Sequence, residues 1–253
     1  ARELAAALHR DNVTVISSLA GRVARPRLPV GEVRIGGFGG PEKLAEWLRA
    51  NAIDAVIDAT HPFAERISAS ARAATNAAAT PLLRLERPGW SERPGDRWTW
   101  VDDLDGAAAL IPALGRRVLL TTGRQGLASF AQTPGFFLVR CVDPPDPPLP
   151  REHELLLDRG PYTLAGELEL IDRHALDLVV TKDSGGALTE AKLDAARERG
   201  LPVIVVRRPP RSADAAVATV AEAHAWALAR IGAEPLGRAG GHSDDGAVPP
   251  HAG

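Results

Sequence analysis

Apolar residues in this chain fall in short runs that stop abruptly at glycine and polar residues, and a stretch with helical spacing follows most of them. Val13–Ser18, Glu32–Gly36, Asp54–Ala59 and Leu82–Leu85 have the length and β-branched content of short strands. Helical patterns occupy Pro41–Ala50 and Pro62–Ala79 between them. This alternation predicts a parallel sheet with helices on its faces. Arg87–Asp105 breaks the series with Pro88, Gly89, Trp90, Pro94 and Gly95 as turn chemistry, and holds one possible strand at Trp98–Val101. A second series then begins. Arg116–Thr121, Phe136–Val142, Leu176–Thr181 and Pro202–Val206 read as strands, and helical segments are expected near Leu127 and over His153–Leu157, Thr163–His174 and Thr189–Arg199. A last helix is expected from Asp214 to Ile231, after which Gly, Pro, His and Asp follow without periodicity, as in a disordered tail. Two α/β domains with a cleft between them fit this order, divided at residues 105 and 106, with the tail from 234 to 253. The proline-rich segment Asp143–Pro150 reads as a rigid connection inside the second domain.

Composition narrows the class without naming a function. The 253 residues are 45% hydrophobic and 25% charged with a net charge of −2, so no overall field favours nucleic acid or an acidic membrane surface. No apolar run approaches the roughly 18 residues that span a bilayer, and the first residues do not resemble a signal peptide. The lone Cys141 excludes an intramolecular disulfide and fits a reducing cytoplasm; inside the run Phe136–Val142 it reads as a buried structural thiol. The chain contains no methionine and opens on an amphipathic helix, Arg2–Arg10. An α/β domain ordinarily places a strand before such a helix, so a first strand is expected to be missing from the sequence as written.

Chemistry concentrates where predicted strands end. In Val179-Val180-Thr181-Lys182-Asp183-Ser184-Gly185-Gly186 an apolar run turns into polar residues and two glycines, then into a helix carrying Lys192. Adjacent glycines let backbone N–H groups approach an anion at a helix start, and Lys182 and Lys192 are two of three lysines in a chain that otherwise uses arginine. A tight turn with solvated lysines would explain the same residues. The turn Ser17-Ser18-Leu19-Ala20-Gly21-Arg22 has hydroxyls and an arginine where a dinucleotide-binding fold meets the adenosine ribose, with no acidic residue for a free 2′-hydroxyl; that combination points to NADP. Asp58-Ala59-Thr60-His61-Pro62-Phe63 forms another strand-to-helix junction, with Thr60, His61 and Pro62 placed to cap a helix or to touch a ligand, and His61 as a possible acid or base. Thr121-Thr122-Gly123-Arg124 repeats the arrangement, and Arg124 could hold a carboxylate or phosphate in bidentate fashion. Arg159-Gly160-Pro161-Tyr162 adds a further cation in a turn. Metal-ligand spacing, a G-x-S-x-G elbow, a P-loop and an aromatic nucleic-acid surface are all missing from the sequence.

Taken in order, Ser17–Arg22, Asp58–Ala64, Thr121–Arg124, Arg159–Pro161 and Lys182–Gly186 with Lys192 resemble the precorrin-6A reductase family of cobalamin biosynthesis. The resemblance runs from the first helix to about Pro209. It implies two Rossmann-like domains with an interdomain active site, the first of them binding NADP, and the use of NADPH to reduce one C=C bond of the precorrin-6A macrocycle to precorrin-6B. By analogy Ser17, Ser18, Leu19, Ala20, Gly21 and Arg22 hold the cofactor phosphate, and Thr60, His61 and Pro62 sit near the nicotinamide. Arg124, Lys182, Asp183, Ser184, Gly185, Gly186 and Lys192 are expected to bind macrocycle carboxylates. Lys182 and His61 are the candidates for proton chemistry, with solvent as an equal alternative. A departure lies at the start, where the family has a strand and glycine turn that this sequence lacks. Two other classes compete: a non-catalytic two-domain protein that closes on a tetrapyrrole or other anion, and a tetrapyrrole synthase or lyase that needs no nicotinamide.

Overall fold

The computed structural model describes residues 1–21, 28–210 and 215–231. Helix α1 (Arg2–Arg10), strands β1 (Ile16–Leu19) and β2 (Glu32–Ile35), helix α2 (Pro41–Ala50), strand β3 (Val56–Asp58), helix α3 (Glu65–Ala78) and strand β4 (Leu82–Leu85) come first. They are followed by β5 (Trp98–Val101), α4 (Leu104–Leu114), β6 (Arg117–Thr121), β7 (Phe136–Cys141), β8 (Glu152–Leu157), α5 (Leu164–Arg173), β9 (Leu178–Lys182), α6 (Ala191–Glu198) and β10 (Val203–Val206). Strand β11 (Ala216–Val217) and helix α7 (Val220–Ile231) close the described chain.

The larger sheet has six strands in the order β5-β10-β9-β6-β7-β8, and all of its pairings are parallel. Side chains alternate across a strand, and here both faces are covered, which is why β10 and the first three residues of β9 are continuous apolar runs. Leu178 and Val180 join Ile111, Leu120, Phe130 and Phe137 on the face under α4. Val179 joins Leu119, Leu138, Ile171 and Leu193 on the face under α5 and α6. Helix α4 begins where Asp103 accepts a hydrogen bond from Gly106 N–H at 2.7 Å, and α5 where Thr163 accepts one from Gly166 N–H at 3.2 Å.

The smaller unit contains a three-stranded sheet, β11-β4-β3, and a separate pair, β1-β2, all parallel. The expected single sheet is therefore in two pieces, because no strand among the described residues joins β1 to β3. Leu4 and Leu8 of α1 pack with Leu83, Ala223 and Ala227, while Ala45 and Leu48 of α2 pack with Ala74 of α3.

The α/β class with parallel sheets flanked by helices agrees with the sequence reading. Chain order and sheet membership differ from the division expected at 105 and 106. After β4 the chain crosses and contributes β5 to the larger sheet, and after β10 it crosses back so that β11 pairs with β4 and α7 packs on α1. Residues 86–97 form the first crossing, and residues 207–210 begin the second. His153–Leu157 is a strand, correcting the helix expected there: its backbone groups pair with the open edge of β7 from Phe136 to Cys141, and that outweighs the helix propensity of Glu and Leu. Helix α4 drew no expectation from the sequence. The last helix starts at Val220, six residues later than expected, after β11. Arg22, Asp214 and the expected tail lie outside the described residues.

Candidate functional site

Parallel strands gather their carboxyl ends on one edge, and ligands of open α/β sheets bind beyond that edge. Here the β3 end and the β9 end meet each other. His61 Nε2 lies 3.0 Å from Ser184 Oγ, joining residues 123 positions apart. Phe63 packs against the core under α4, and Lys182 Nζ lies 5.3 Å from the centre of its ring.

The β3 junction is ordered by its own backbone. Asp58 Oδ1 accepts the Thr60 N–H at 3.0 Å, Thr60 Oγ1 is 3.2 Å from Ser68 Oγ, and Ala64 N–H donates to the His61 carbonyl at 2.8 Å. Pro62 thus occupies the second position of a turn, and α3 begins only at Glu65. This corrects the expectation that Pro62 takes the first position of the helix. Phe63 N–H donates to His61 Nδ1 at 3.3 Å, which assigns the ring proton to Nε2 and makes that nitrogen the donor to Ser184. Burial, followed by the charges of Arg87, Lys182 and Arg208, pushes the imidazole pKa down to about 4. His61 is therefore neutral at neutral pH, even though part of its surface is open.

The Asp183–Gly186 turn is held from behind by the two crossings. Asp183 Oδ1 accepts the Trp90 N–H at 3.0 Å, and its other oxygen lies 3.1 Å from Arg208 Nε. Arg87 Nε donates to the Ser184 carbonyl at 2.6 Å, and Trp90 Nε1 to the Gly186 carbonyl at 3.3 Å. A Cβ at Gly185, where φ is +63°, would lie 2.1 Å from the Pro88 carbonyl oxygen and 2.5 Å from Arg208 Nη2. Glycine is needed at 185 for the close approach of a crossing segment, a role distinct from cradling an anion. Asp183 likewise spends its carboxylate inside the protein.

The remaining expected contacts divide between open and buried positions. Lys192 is 3% exposed; its Nζ donates to the Thr189 carbonyl at 2.6 Å and lies 4.5 Å from the centre of the Trp90 ring. Burial brings its pKa down to about 7. Lys192 thus supports the turn from below. Lys182 is also lowered by burial, and its ammonium makes no hydrogen bond among the described residues. At the β6 end Thr122 Oγ1 is buried without a hydrogen-bond partner among the described residues, and a Cβ at Gly123 would meet none of them within 4 Å. Arg124 is near enough to Cys141 to oppose the rise that burial causes in the thiol pKa. Tyr162 N–H donates to the Leu188 carbonyl at 3.4 Å, which sets the Arg159–Pro161 turn beside the Ala187–Thr189 turn. At the β1 end, a Cβ added at Gly21, where φ is +70°, would lie 3.4 Å from Ile35 Cγ2 and 3.5 Å from Gly36 N, so the β1 and β2 loops adjoin.

Arg87 and Arg208 were not singled out in the sequence, and Trp90 was read only as turn chemistry. The available signal was position: Arg87 stands two residues beyond β4, as Arg208 does beyond β10. Among the described residues no helix is long and apolar enough to cross a membrane, and no group of three or more His, Cys, Asp or Glu side chains could hold a metal ion.

These features define an α/β protein of the Rossmann-like class, with parallel sheets whose glycine- and cation-bearing strand ends face one another. The profile of the family described as precorrin-6x reductase CbiJ/CobK matches residues 1–228. The precorrin-6A reductase of Rhodococcus erythropolis is 53% identical over 229 residues, covering 89% of this chain and 92% of that one. The precorrin-6A reductase of Mycobacterium tuberculosis (strain H37Rv) is 48% identical over 227 residues, covering 89% and 92%. A solved structure, CobK precorrin-6A reductase, superposes with a TM-score of 0.86 at 42% identity and covers 93% of this chain and 94% of that one. The chain belongs to the precorrin-6x reductase family.

Proposed function

We propose that this chain is an NADPH-dependent precorrin-6A reductase of cobalamin biosynthesis, with the cofactor on the smaller unit and the macrocycle on the larger. Family membership makes it an oxidoreductase acting on a tetrapyrrole, and a reductase of this kind takes its hydride from a nicotinamide. The observation that carries the assignment of the site is the 3.0 Å approach of His61 to Ser184, which brings the two sets of strand ends together.

The residues present fit a dinucleotide at the β1 end. Ser17 and Ser18 offer hydroxyls, Gly21 leaves room beside Ile35 and Gly36, and Arg22, outside the described residues, is the expected partner of a 2′-phosphate. When bound, the cofactor supplies the hydride. The chain's own residues position the acceptor and exclude water. Lys182 presents an ammonium toward the cleft for a macrocycle carboxylate, Thr122 a buried hydroxyl, and Arg124 a guanidinium at the neighbouring strand end. Asp183, Gly185 and Lys192 act one step back by fixing the turn that carries Lys182 and Ser184. His61, neutral and hydrogen-bonded at both nitrogens, is a positioning group; a neutral imidazole with a pKa of about 4 is a poor source for the proton that C=C reduction consumes. Lys182 and solvent remain the candidates for that proton.

Arg22→Ala tests the cofactor choice. It is expected to weaken NADPH about tenfold or more while changing NADH little, since a guanidinium–phosphate contact is charge-assisted. Equal weakening of both would remove the 2′-phosphate role.

A further inference from the structure

Five nearly buried charged side chains of alternating sign run from one strand-end cluster to the other. Asp58 Oδ2 lies 4.0 Å from Arg84 Nε, and Arg84 Nη2 lies 3.6 Å from Glu86 Oε2. Glu86 Oε1 lies 3.2 Å from Arg208 Nη1, and Arg208 Nε lies 3.1 Å from Asp183 Oδ2. Side-chain exposure along the chain is 3%, 13%, 5%, 7% and 10%. One end of this row is the residue that orders Thr60 beside His61; the other fastens Trp90 N–H to the turn bearing Lys182 and Ser184.

Arg208 bridges the two units. It leaves the larger sheet just after β10, yet its Nη1 donates to the Arg87 carbonyl at 2.9 Å and to Glu86 at the exit of β4. Its Nε donates to the Asp183 carbonyl at 3.0 Å at the exit of β9. One planar guanidinium thus pins both crossings to the turn. Buried charge is tolerated only when paired, so sliding one unit against the other would leave members of this row without partners.

We propose that Arg208 is a positioning residue for hydride transfer: as the member of the alternating row that joins Glu86 to Asp183 it fixes the spacing between the His61 junction and the Lys182–Gly186 turn. The proposal rests on the reductase reading above. An error of about 1 Å between reacting groups lowers rates by about a hundredfold, so such a residue acts on turnover more than on binding. Lysine keeps the charge but lacks the planar fork that reaches three acceptors.

The test is R208K in the full chain, with three readouts. We expect a cooperative melt, an NADPH Kd within about threefold of wild type, and kcat lowered by about 30-fold or more with a larger deuterium isotope effect from 4-deuterated NADPH. Amide exchange is expected to quicken at Trp90 and at residues 184–186 while β6 and β9 stay protected. A kcat within about threefold of wild type, or parallel losses of kcat and NADPH affinity, would overturn the proposal. Should R208K fail to fold, E86Q decides: it removes the charge from one partner of the fork while keeping an acceptor oxygen, and kcat about fivefold lower at unchanged NADPH Kd supports the role, whereas wild-type kcat overturns it. Failure of the reductase reading shows separately, as wild-type protein that leaves NADPH unoxidised. In that case the exchange pattern alone decides, and wild-type protection at Trp90 in R208K refutes the clamp.

Discussion

An alanine at position 185 would put its Cβ 2.1 Å from the Pro88 carbonyl oxygen and 2.5 Å from Arg208 Nη2, at a φ of +63°. Both neighbours belong to crossing segments that are themselves fastened, Pro88 between Arg87 and Trp90, and Arg208 by Glu86 and Asp183. Relief by local movement therefore breaks other bonds. The left-handed conformation costs a non-glycine residue about 1–2 kcal/mol, and overpacking a fixed site adds about 1–3 kcal/mol. Reduced freedom of the unfolded chain returns about 0.4–1 kcal/mol. The net loss expected for G185A is about 2–4 kcal/mol, which for a chain of this length lowers the thermal midpoint by about 5–15 °C. Gly123 supplies the control: its φ is +79°, but a Cβ there would meet nothing within 4 Å. G123A keeps the conformational cost without the collision and should lose only about 0–1.5 kcal/mol. Thermal and urea unfolding followed by tryptophan fluorescence compare the two variants. Equal destabilisation, or a smaller loss in G185A, would refute the account of this turn as a place of close approach.

His61 should titrate near pH 4 by NMR and not near 6.5. Because its pKa is lowered, the unfolded chain takes up a proton below about 6.5 that the native protein refuses, so its contribution to stability declines as pH falls from about 6.5 toward 4; an imidazole titrating near 6.5 would contradict the site geometry. Lys192, lowered to about 7 by burial, carries the same consequence in a higher pH window. Relative to K192M, wild type should lose stability as pH falls from about 10 to 7 and hold a constant offset below that, and a flat difference across the range would place the ammonium in water. The buried pair Arg140 and Glu167, 2.6 Å apart with exposures of 5% and 2%, predicts that R140M costs about 3–5 kcal/mol while R140M/E167L costs far less; additive losses in urea unfolding would show that no charge is stranded.

Most strands were legible because they are short, mostly apolar runs bounded by turn residues: Leu82–Leu85 and Trp98–Val101 coincide with what the pattern predicts. Glu152–Leu157 was not, since its helix-forming residues take strand geometry from the edge of β7. The crossings were hidden for a different reason. A strand reads the same whichever sheet it enters, so nothing local in Trp98–Val101 or Ala216–Val217 announces its partner. At the candidate site, residue types at strand ends pointed to several loops, and the contact between His61 and Ser184 joins two of them. Spacing could not distinguish an exposed cation from a buried one. Lys182 and Lys192 look alike in sequence, yet one approaches Phe63 at the cleft and the other lies under Trp90, because a helical position ten residues on faces the core. Arg208 was invisible as a partner of Glu86 and Asp183, which lie 122 and 25 residues away.

The proposed reduction of precorrin-6A by NADPH across the junction of His61 and Ser184 can be tested directly. Its most direct measurement mixes the protein with NADPH and precorrin-6A and follows the nicotinamide absorbance together with the mass of the macrocycle. The account predicts loss of NADPH only when precorrin-6A is present, one equivalent per macrocycle, with the product heavier by two hydrogens. Loss of NADPH without substrate, or no loss with both present, would contradict it.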